Sequence, residues 1–374
     1  MKYHYLNEIN SPEDLKKLSV EELTTLAEEL RDYIIGVVSQ TGGHLAPSLG
    51  TVELTLALHS IFESPADKII WDVGHQAYAH KIVTGRREAF TTNRCWEGIS
   101  GFPKPSESPH DAFGVGHAST SISAGFGMVC ARDILKEDYH VVSVIGDGAF
   151  TGGLALEGLN NAGASGKDFI VVLNDNLMSI SPNVGALHNY LTMMMTHPAF
   201  KKIKDEIWDI TGKLPSGDFL QRAVGKIDSG LKSMMTPGAL FEEMGFRYLG
   251  PVNGHDIERL VKILRQMKEL KGPQILHIIT QKGRGYKFAE ENSTRFHGLG
   301  AFDKTTGAVN GSGAKAPSYT TVFGKTMVEL AAENEKIVGI SAAMAEGTGL
   351  SLLNDEFPER FYDVGIAEAH AVTF

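Results

Sequence analysis

The sequence has few of the residues and segments that mark several special classes of protein. Its 374 residues include two cysteines, Cys95 and Cys130, too few for a disulfide framework or a four-cysteine zinc cage. Basic residues are not in excess, because 35 Lys and Arg face 45 Asp and Glu and the net charge is −10. No apolar run approaches the roughly 18 residues of a membrane span, and the N-terminus lacks the apolar core of a secretion signal. These absences predict a cytoplasmic protein that binds neither nucleic acid nor membrane.

Glycine, by contrast, is abundant and clustered, with 41 residues in the chain. Clustered glycine is typical of backbone that must approach another group closely. Two nearly continuous apolar runs, at 140–145 and 169–173, flank a helical pattern at 152–162. Such runs are typical of strands buried on both faces, and the strand–helix–strand order is that of a βαβ unit. The sequence therefore predicts an α/β fold with a parallel sheet and helices on both faces.

Composition divides the chain into three parts. Residues 1–297 carry the α/β alternation, with a stretch at about 185–240 that fits no regular pattern and suggests a mobile excursion. Residues 298–318 are rich in Gly, Ser, Thr and Ala, which is typical of an interdomain linker. A second α/β pattern begins at 319 and stops at 374 inside an apolar helical segment, so we expect this second domain to be incomplete.

The best candidate site follows the first strand of the βαβ unit, at Gly146-Asp147-Gly148-Ala149. Open α/β sheets bind ligands at the carboxyl ends of their strands, and a helix that follows offers its N-terminus to phosphate. Asn176 ends the next strand, one crossover after Asp147, so both side chains can reach one point. A carboxylate and a carboxamide oxygen suit Mg²⁺. Alone, Asp147 could equally cap a helix and Asn176 fill a turn, but the pair at this spacing favours a metal site.

Gly146 to Gly148 together with Asn176 resemble the signature with which thiamine-diphosphate enzymes bind their cofactor and Mg²⁺. Further motifs narrow the resemblance to one family. In order, they are Gly42–Leu54, Trp71–Tyr78, Gly116–Ser123, Lys282–Tyr286 and Val364–Glu368. Over essentially its whole length, the chain resembles the 1-deoxy-D-xylulose-5-phosphate synthase family.

The resemblance implies a transferase that uses thiamine diphosphate and Mg²⁺ to condense pyruvate with D-glyceraldehyde 3-phosphate. The product, 1-deoxy-D-xylulose 5-phosphate, would serve isoprenoid, thiamine and pyridoxal synthesis. It also implies a thiamine-diphosphate-binding fold, with a diphosphate-binding first domain and the start of a pyrimidine-binding second domain. We expect the chain to lack the family's third domain, which is similar to the transketolase C-terminal domain. We expect a homodimer, low activity of this chain alone, and either a truncation or a second chain that supplies the rest.

The resemblance also implies roles for single residues. Glu368 would hydrogen-bond the aminopyrimidine ring, and His44 would move a proton or position substrate, which makes these the two catalytic residues. Mg²⁺ would be held by Asp147, Asn176 and the Met178 carbonyl. The expected cofactor contacts are His75, Gly116, His117, Ala118, Gly148, Ala149, Asn176, Tyr286 and Glu368.

Other interpretations of the same residues stay open. Ala118 stands where the family more often has serine, so a backbone contact would survive there and a hydroxyl contact would not. Glu53, on an apolar helix, is interpreted as a packed and paired carboxylate. Five histidines are assigned to structure or surface: His80, His110, His188, His255 and His297. The alternative functions are two-carbon transfer of the transketolase type and a non-catalytic diphosphate-binding module.

Overall fold

A computed structural model describes residues 3–176, 238–309 and 316–374. Met178 and residues 185–237 of the irregular stretch lie outside these ranges. At the centre is a five-stranded, all-parallel sheet with the strand order β1-β2-β3-β5-β4. Its strands are β1 (Lys68–Trp71), β2 (Val141–Gly146), β3 (Phe169–Asp175), β4 (Arg247–Asn253) and β5 (Pro273–Ile279).

Alternate residues of the sheet enter two separate cores, as the period of two in a strand requires. In β2, Val142 and Val144 join one apolar cluster, whereas Val141 and Ile145 join the other. Helices cover both faces, which confirms the predicted α/β fold. On the first face lie α1 (Pro12–Leu15), α2 (Val20–Thr41), α3 (Leu45–Gly50), α4 (Val52–Ile61), α5 (Tyr78–Lys81), α10 (Ile257–Glu269) and α11 (Lys287–Glu291). On the second lie α6 (Ser121–Leu135), α7 (Asp147–Phe150), α8 (Gly153–Ser165) and α9 (Ala239–Glu243).

Local signals explain where several helices begin and end. A capping box starts α2, since the Ser19 hydroxyl accepts from the Glu22 amide and the Glu22 carboxylate accepts from the Ser19 amide. The short helix α3 precedes α4, and the two meet at Thr51. None of the described helices is both long and apolar enough to cross a membrane.

The last described range forms a smaller α/β unit. Strands β6 (Gly339–Ser341) and β7 (Phe361–Asp363) pair in parallel. A small core of Ala331, Leu350 and Leu353 packs beside them. The helices of this unit are α12 (Tyr319–Glu333), α13 (Ala345–Thr348), α14 (Ser351–Glu356) and α15 (Glu368–Thr373).

The segment predicted as a linker differs from that expectation in its first half. Leu299 forms an antiparallel bridge with Gly43, and Phe302 is 3% exposed within the first core. The Phe302 ring contacts the rings of Tyr286 and Phe296. Residues 298–309 therefore belong with the large sheet, because burial of an aromatic side chain outweighs the linker-like composition around it.

Candidate functional site

Asp147 and Asn176 meet at the carboxyl edge of the sheet. Their strands are parallel neighbours, with Gly146 of β2 opposite Asn174 of β3, so both side chains leave from the same edge. The Asn176 Nδ2 atom donates a hydrogen bond of 3.1 Å to Asp147 Oδ1, and Asp147 is almost fully buried. The spacing argument thus placed a carboxylate and a carboxamide correctly in one spot.

The loop that contains Gly116, His117 and Ala118 is fastened over this edge. Asp72, which follows β1, accepts hydrogen bonds from the Ser119 amide at 2.7 Å and the Ser121 amide at 2.8 Å. The Ser119 hydroxyl donates to the Ala149 carbonyl at 2.6 Å. These bonds bring the 116–118 loop beside the Gly148-Ala149 turn. Asp72 is therefore a positioning residue of the site, although sequence reasoning gave it no role.

Three histidines cluster in the first domain near the expected cofactor region. The ring centroids of His44 and His75 are 5.7 Å apart, and His297 lies 5.8 Å from the first and 5.1 Å from the second. His297, which the sequence assigned to structure or surface, thus lies beside the two histidines to which the resemblance gave roles. It is separated from His75 by more than 200 positions, and no local pattern in the sequence connects the two.

The histidine cluster is electrically neutral near pH 7. Burial, helped by Arg94, lowers the pKa of His44 to about 4, and burial lowers the pKa of His297 to about 3. Burial also holds the pKa of His75 well below its usual range. The Nδ1 atoms of His75 and His297 are buried and have no hydrogen-bond partner among the described residues. Two imidazole nitrogens are thus available to a ligand.

Cationic side chains approach the cluster from two directions. Arg94 Nη1 lies 3.4 Å from His44 Nδ1. Burial lowers the pKa of Lys282, while the Asp147 carboxylate acts in the opposite direction. The Lys282 charge also helps to lower the pKa values of His75 and His297. The Lys282 charge therefore acts on His75 and His297 and is itself influenced by Asp147, which its motif did not predict.

Tyr286 is buried among aromatic side chains. Its ring contacts the rings of Phe288, Phe296 and Phe302, and its hydroxyl donates to the Lys304 carbonyl at 3.0 Å. These contacts anchor the turn that carries Lys282. The cofactor contact of Tyr286 stays a prediction.

Glu368 comes to this edge from the smaller unit. It is exposed at the start of α15, and Ile366, two residues earlier, packs against the core on the second face of the large sheet. Burial raises the pKa of Asp72, and the Glu368 carboxylate raises it further. The Glu368 charge therefore influences Asp72, the residue after β1 that holds the 116–118 loop.

The donor set at the edge suits a hard cation rather than a transition metal. Asp147 and Asn176 offer oxygen ligands, as Mg²⁺ prefers. Within residues 3–176, 238–309 and 316–374, no three His, Cys, Asp or Glu side chains form a metal-binding group by themselves. Gly146 leaves open space where a Cβ atom would stand, so backbone there can approach a ligand. The carbonyl of Met178, the third predicted ligand, lies outside the described residues.

Comparison with known proteins agrees with this architecture. Transketolase from Campylobacter jejuni aligns with a TM-score of 0.56 at 17% identity, over 95% of this chain and 62% of that one. Transketolase from Leishmania mexicana gives a TM-score of 0.54 at 16% identity, over 95% and 61%. At such identities the likeness shows the fold alone. A model of the transketolase pyrimidine-binding domain matches residues 315–374.

Relatives found by sequence are much more similar to this chain than these solved structures are. The 1-deoxy-D-xylulose-5-phosphate synthase of Caldanaerobacter subterraneus subsp. tengcongensis is 54% identical over 99% of this chain, and that of Carboxydothermus hydrogenoformans is 56% identical over 98%. In both cases the chain spans 59% of the relative's length. The family model described as 1-deoxy-D-xylulose-5-phosphate synthase matches residues 6–280, most of the chain. The chain therefore belongs to the 1-deoxy-D-xylulose-5-phosphate synthase family.

Proposed function

We propose that this chain forms the cofactor-binding part of an enzyme that makes 1-deoxy-D-xylulose 5-phosphate and CO₂ from pyruvate and D-glyceraldehyde 3-phosphate. The cofactors are thiamine diphosphate and Mg²⁺. The observation that carries the proposal is the pairing of Asp147 and Asn176 at the carboxyl edge of the parallel sheet. Family membership supports the choice of reaction.

The residues present fit these cofactors. The carboxylate of Asp147 and the amide oxygen of Asn176 are hard ligands for Mg²⁺, which binds diphosphate oxygens as well. The unpaired Nδ1 atoms of His75 and His297 offer hydrogen bonds without bringing positive charge. When bound, thiamine diphosphate supplies the nucleophilic carbon for attack on a ketone and stabilises the charge left by decarboxylation.

The chain's own residues then have distinct roles. Asp147 and Asn176 hold the metal ion, with the Met178 carbonyl as the third ligand. The 116–118 loop, the Gly148-Ala149 turn and Tyr286 enclose the cofactor, and Glu368 receives a hydrogen bond from its aminopyrimidine ring. His44 positions the substrate or moves a proton, aided by the Arg94 cation beside it.

Assembly, location and domain division are proposals of the same kind. We propose a cytoplasmic homodimer, with a diphosphate-binding domain that includes residues 298–309 and a pyrimidine-binding domain from residue 319. The chain spans 59% of its relatives' length. We therefore expect full turnover only when the part of the relatives' sequence that this chain does not span is present, either in the same chain or as a second chain.

Titration calorimetry with thiamine diphosphate and Mg²⁺ tests the site directly. We expect saturable binding to the chain and its loss in Asp147→Ala, because the variant removes the anionic ligand of the metal. Asp133→Ala, which changes a carboxylate in a partly exposed pair with Lys167, is the matched control and should bind normally. Equal binding by wild type and Asp147→Ala would contradict the proposed metal site.

Activity assays separate the reaction classes. The chain is assayed together with the part of a relative's sequence that it does not span. The rate of pyruvate decarboxylation is then compared with the rate of ketose cleavage. Release of CO₂ that depends on D-glyceraldehyde 3-phosphate is expected. Cleavage of ketose phosphates without pyruvate would favour two-carbon transfer instead, and unchanged function in Glu368→Ala would favour a non-catalytic module.

A further inference from the structure

The turn at residues 281–286 delivers Lys282 to the site, yet the turn itself has little support from regular structure. It follows β5 and precedes α11, and Gln281 is exposed. Besides the Tyr286 contacts, two hydrogen bonds of 2.9 Å hold it, from the Gly283 amide to the Ala46 carbonyl and from the Gly285 amide to Glu290 Oε1. Its outer side is tied to a buried ionic network that has no part in the proposed chemistry.

That network runs through Arg31, Glu53 and His255. One guanidinium nitrogen of Arg31 forms an ion pair with Glu53 Oε1. The other carboxylate oxygen, Oε2, lies 3.1 Å from His255 Nδ1. On the far side of the imidazole, Nε2 accepts a hydrogen bond of 2.8 Å from the Gln281 amide. The three side chains come from α2, α4 and the β4–α10 connection, so three elements converge on one backbone amide.

The hydrogen bonds determine the tautomer of His255. Because Nε2 accepts from the Gln281 amide, it carries no proton, and the neutral ring must carry its proton on Nδ1. The Nδ1 proton is then donated to Glu53. The Glu53 carboxylate thus selects the tautomer that can hold Gln281, as an outer-shell carboxylate does for a ligating histidine.

Packing fixes the other end of the network. Gly285 has a φ of +81°, and a Cβ atom there would lie 2.9 Å from Cδ of Arg31. The side chain of Arg31 therefore rests directly on the backbone of the turn. A cavity of about 540 Å³ borders the network and is lined by Arg31, Glu53, His255 and Gly285, among others. This side of the turn is therefore held both by the contact with Arg31 and by the hydrogen bond to His255.

We propose that Glu53 and His255 are positioning residues that hold the 281–286 turn and thereby fix the position of Lys282 in the candidate site. This inference deepens the proposed function, since it gives Lys282 its place in that site. Glu53 is the packed and paired carboxylate expected from the sequence, and through His255 its pairing also restrains the 281–286 turn. His255, assigned to structure or surface, becomes the link between the core and the site.

Amide hydrogen exchange at Gln281 tests the proposal without any cofactor. In an exposed turn, this amide is protected mainly by its bond to His255, so His255→Ala should exchange there about tenfold faster, the order expected for one lost hydrogen bond. Glu53→Gln should show part of that effect because it weakens the tautomer preference. His255→Gln should restore protection, since its side-chain oxygen stands near the position of Nε2. Covalent amine labelling at constant pH should rise at Lys282 in His255→Ala.

Two controls separate positioning from general stability. Glu28→Gln makes the same chemical change in the same cavity, at an exposed residue outside the network, and should leave Gln281 and Lys282 unchanged. Asp111→Asn weakens a different buried network and should lower the melting temperature without a local effect on the turn. Unchanged exchange at Gln281 in folded His255→Ala, or an equal rise in Glu28→Gln, would overturn the proposal. Neither readout depends on cofactor binding, so failure here leaves the proposed function to its own test.

Discussion

A buried carboxylate, Asp111, offers the sharpest test of what holds the first domain together. Its two oxygens accept bonds of 2.6 and 2.7 Å from the Arg86 guanidinium. The same carboxylate accepts from His80 Nε2 at 3.0 Å and from the Lys104 amide at 2.7 Å. Asp111 thereby fastens the loop that carries Phe102, whose ring centroid is 5.5 Å from that of His44. We predict that Asp111→Asn is among the most destabilising isosteric changes in the chain.

The magnitude follows from burial. The side chains of Asp111 and His80 have no exposed area, and that of Arg86 is 8% exposed. Removal of one partner from a buried pair leaves the other charge uncompensated, which costs about 3–5 kcal/mol. For a domain of this size, about 2–4 °C of melting temperature is lost per kcal/mol, so the midpoint should fall by about 6–20 °C.

Thermal and urea unfolding of Asp111→Asn provide the measurement, with Asp133→Asn as the control. Asp133 pairs with Lys167, and both side chains are about one-third exposed, so its loss should cost less than about 1 kcal/mol. A loss below about 1 kcal/mol for Asp111→Asn, or one equal to that of the control, would refute the reasoning.

The same prediction has a pH dependence with a definite sign. Burial alone would raise the pKa of Asp111, but the hydrogen bonds and charges of His80 and Arg86 hold it well below its usual range. A depressed carboxyl pKa contributes stability above the unfolded pKa of about 3.9 and loses it as the pH falls toward the folded value. The difference between wild type and Asp111→Asn should therefore narrow below about pH 4.

Other predictions address separate parts of the structure. Tyr248→Phe should lower the free energy of unfolding by about 1–3 kcal/mol in urea titration, because its hydroxyl bonds buried His277 Nδ1 at 2.7 Å. The folded pKa of His297 is about 3, so below about pH 6.5 the unfolded chain binds a proton that the folded chain does not. His297→Gln should therefore reduce the slope of the free energy of unfolding against pH in that range by about 1.4 kcal/mol per pH unit. An unchanged slope would contradict the burial of His297 as a neutral group. Phe302→Ala should cost about 3–5 kcal/mol if residues 298–309 belong to the first core, whereas a linker residue would cost almost nothing.

Much of the architecture was predictable because the signals are local. The apolar runs of β2 and β3, the intervening helix and the Ser19 capping box each lie within a few turns of sequence. Errors occurred where composition conflicted with tertiary packing. Phe302 stands in a segment rich in Gly and Thr, and only its aromatic neighbours show that the segment belongs to a core.

The candidate site divides in the same way. Asp147 and Asn176 were paired from spacing alone, because one βαβ crossover brings two strand ends to the same edge. His297 and Lys282 were not, because the contacts that give them meaning come from elements far apart in the chain. A histidine in a loop carries no local mark of whether it faces solvent or other histidines.

The sequence by itself determined the α/β order, the carboxyl edge as the place of the site, and the family, since these depend on periodicity, spacing and ordered motifs. Only the tertiary structure decided which polar side chains converge there. Glu53 and His255 are 202 positions apart and yet share a hydrogen bond, and this bond leads to Gln281 and the turn that carries Lys282. Such contacts arise from how helices and loops pack on a sheet, and that packing is a property of the whole chain rather than of any segment.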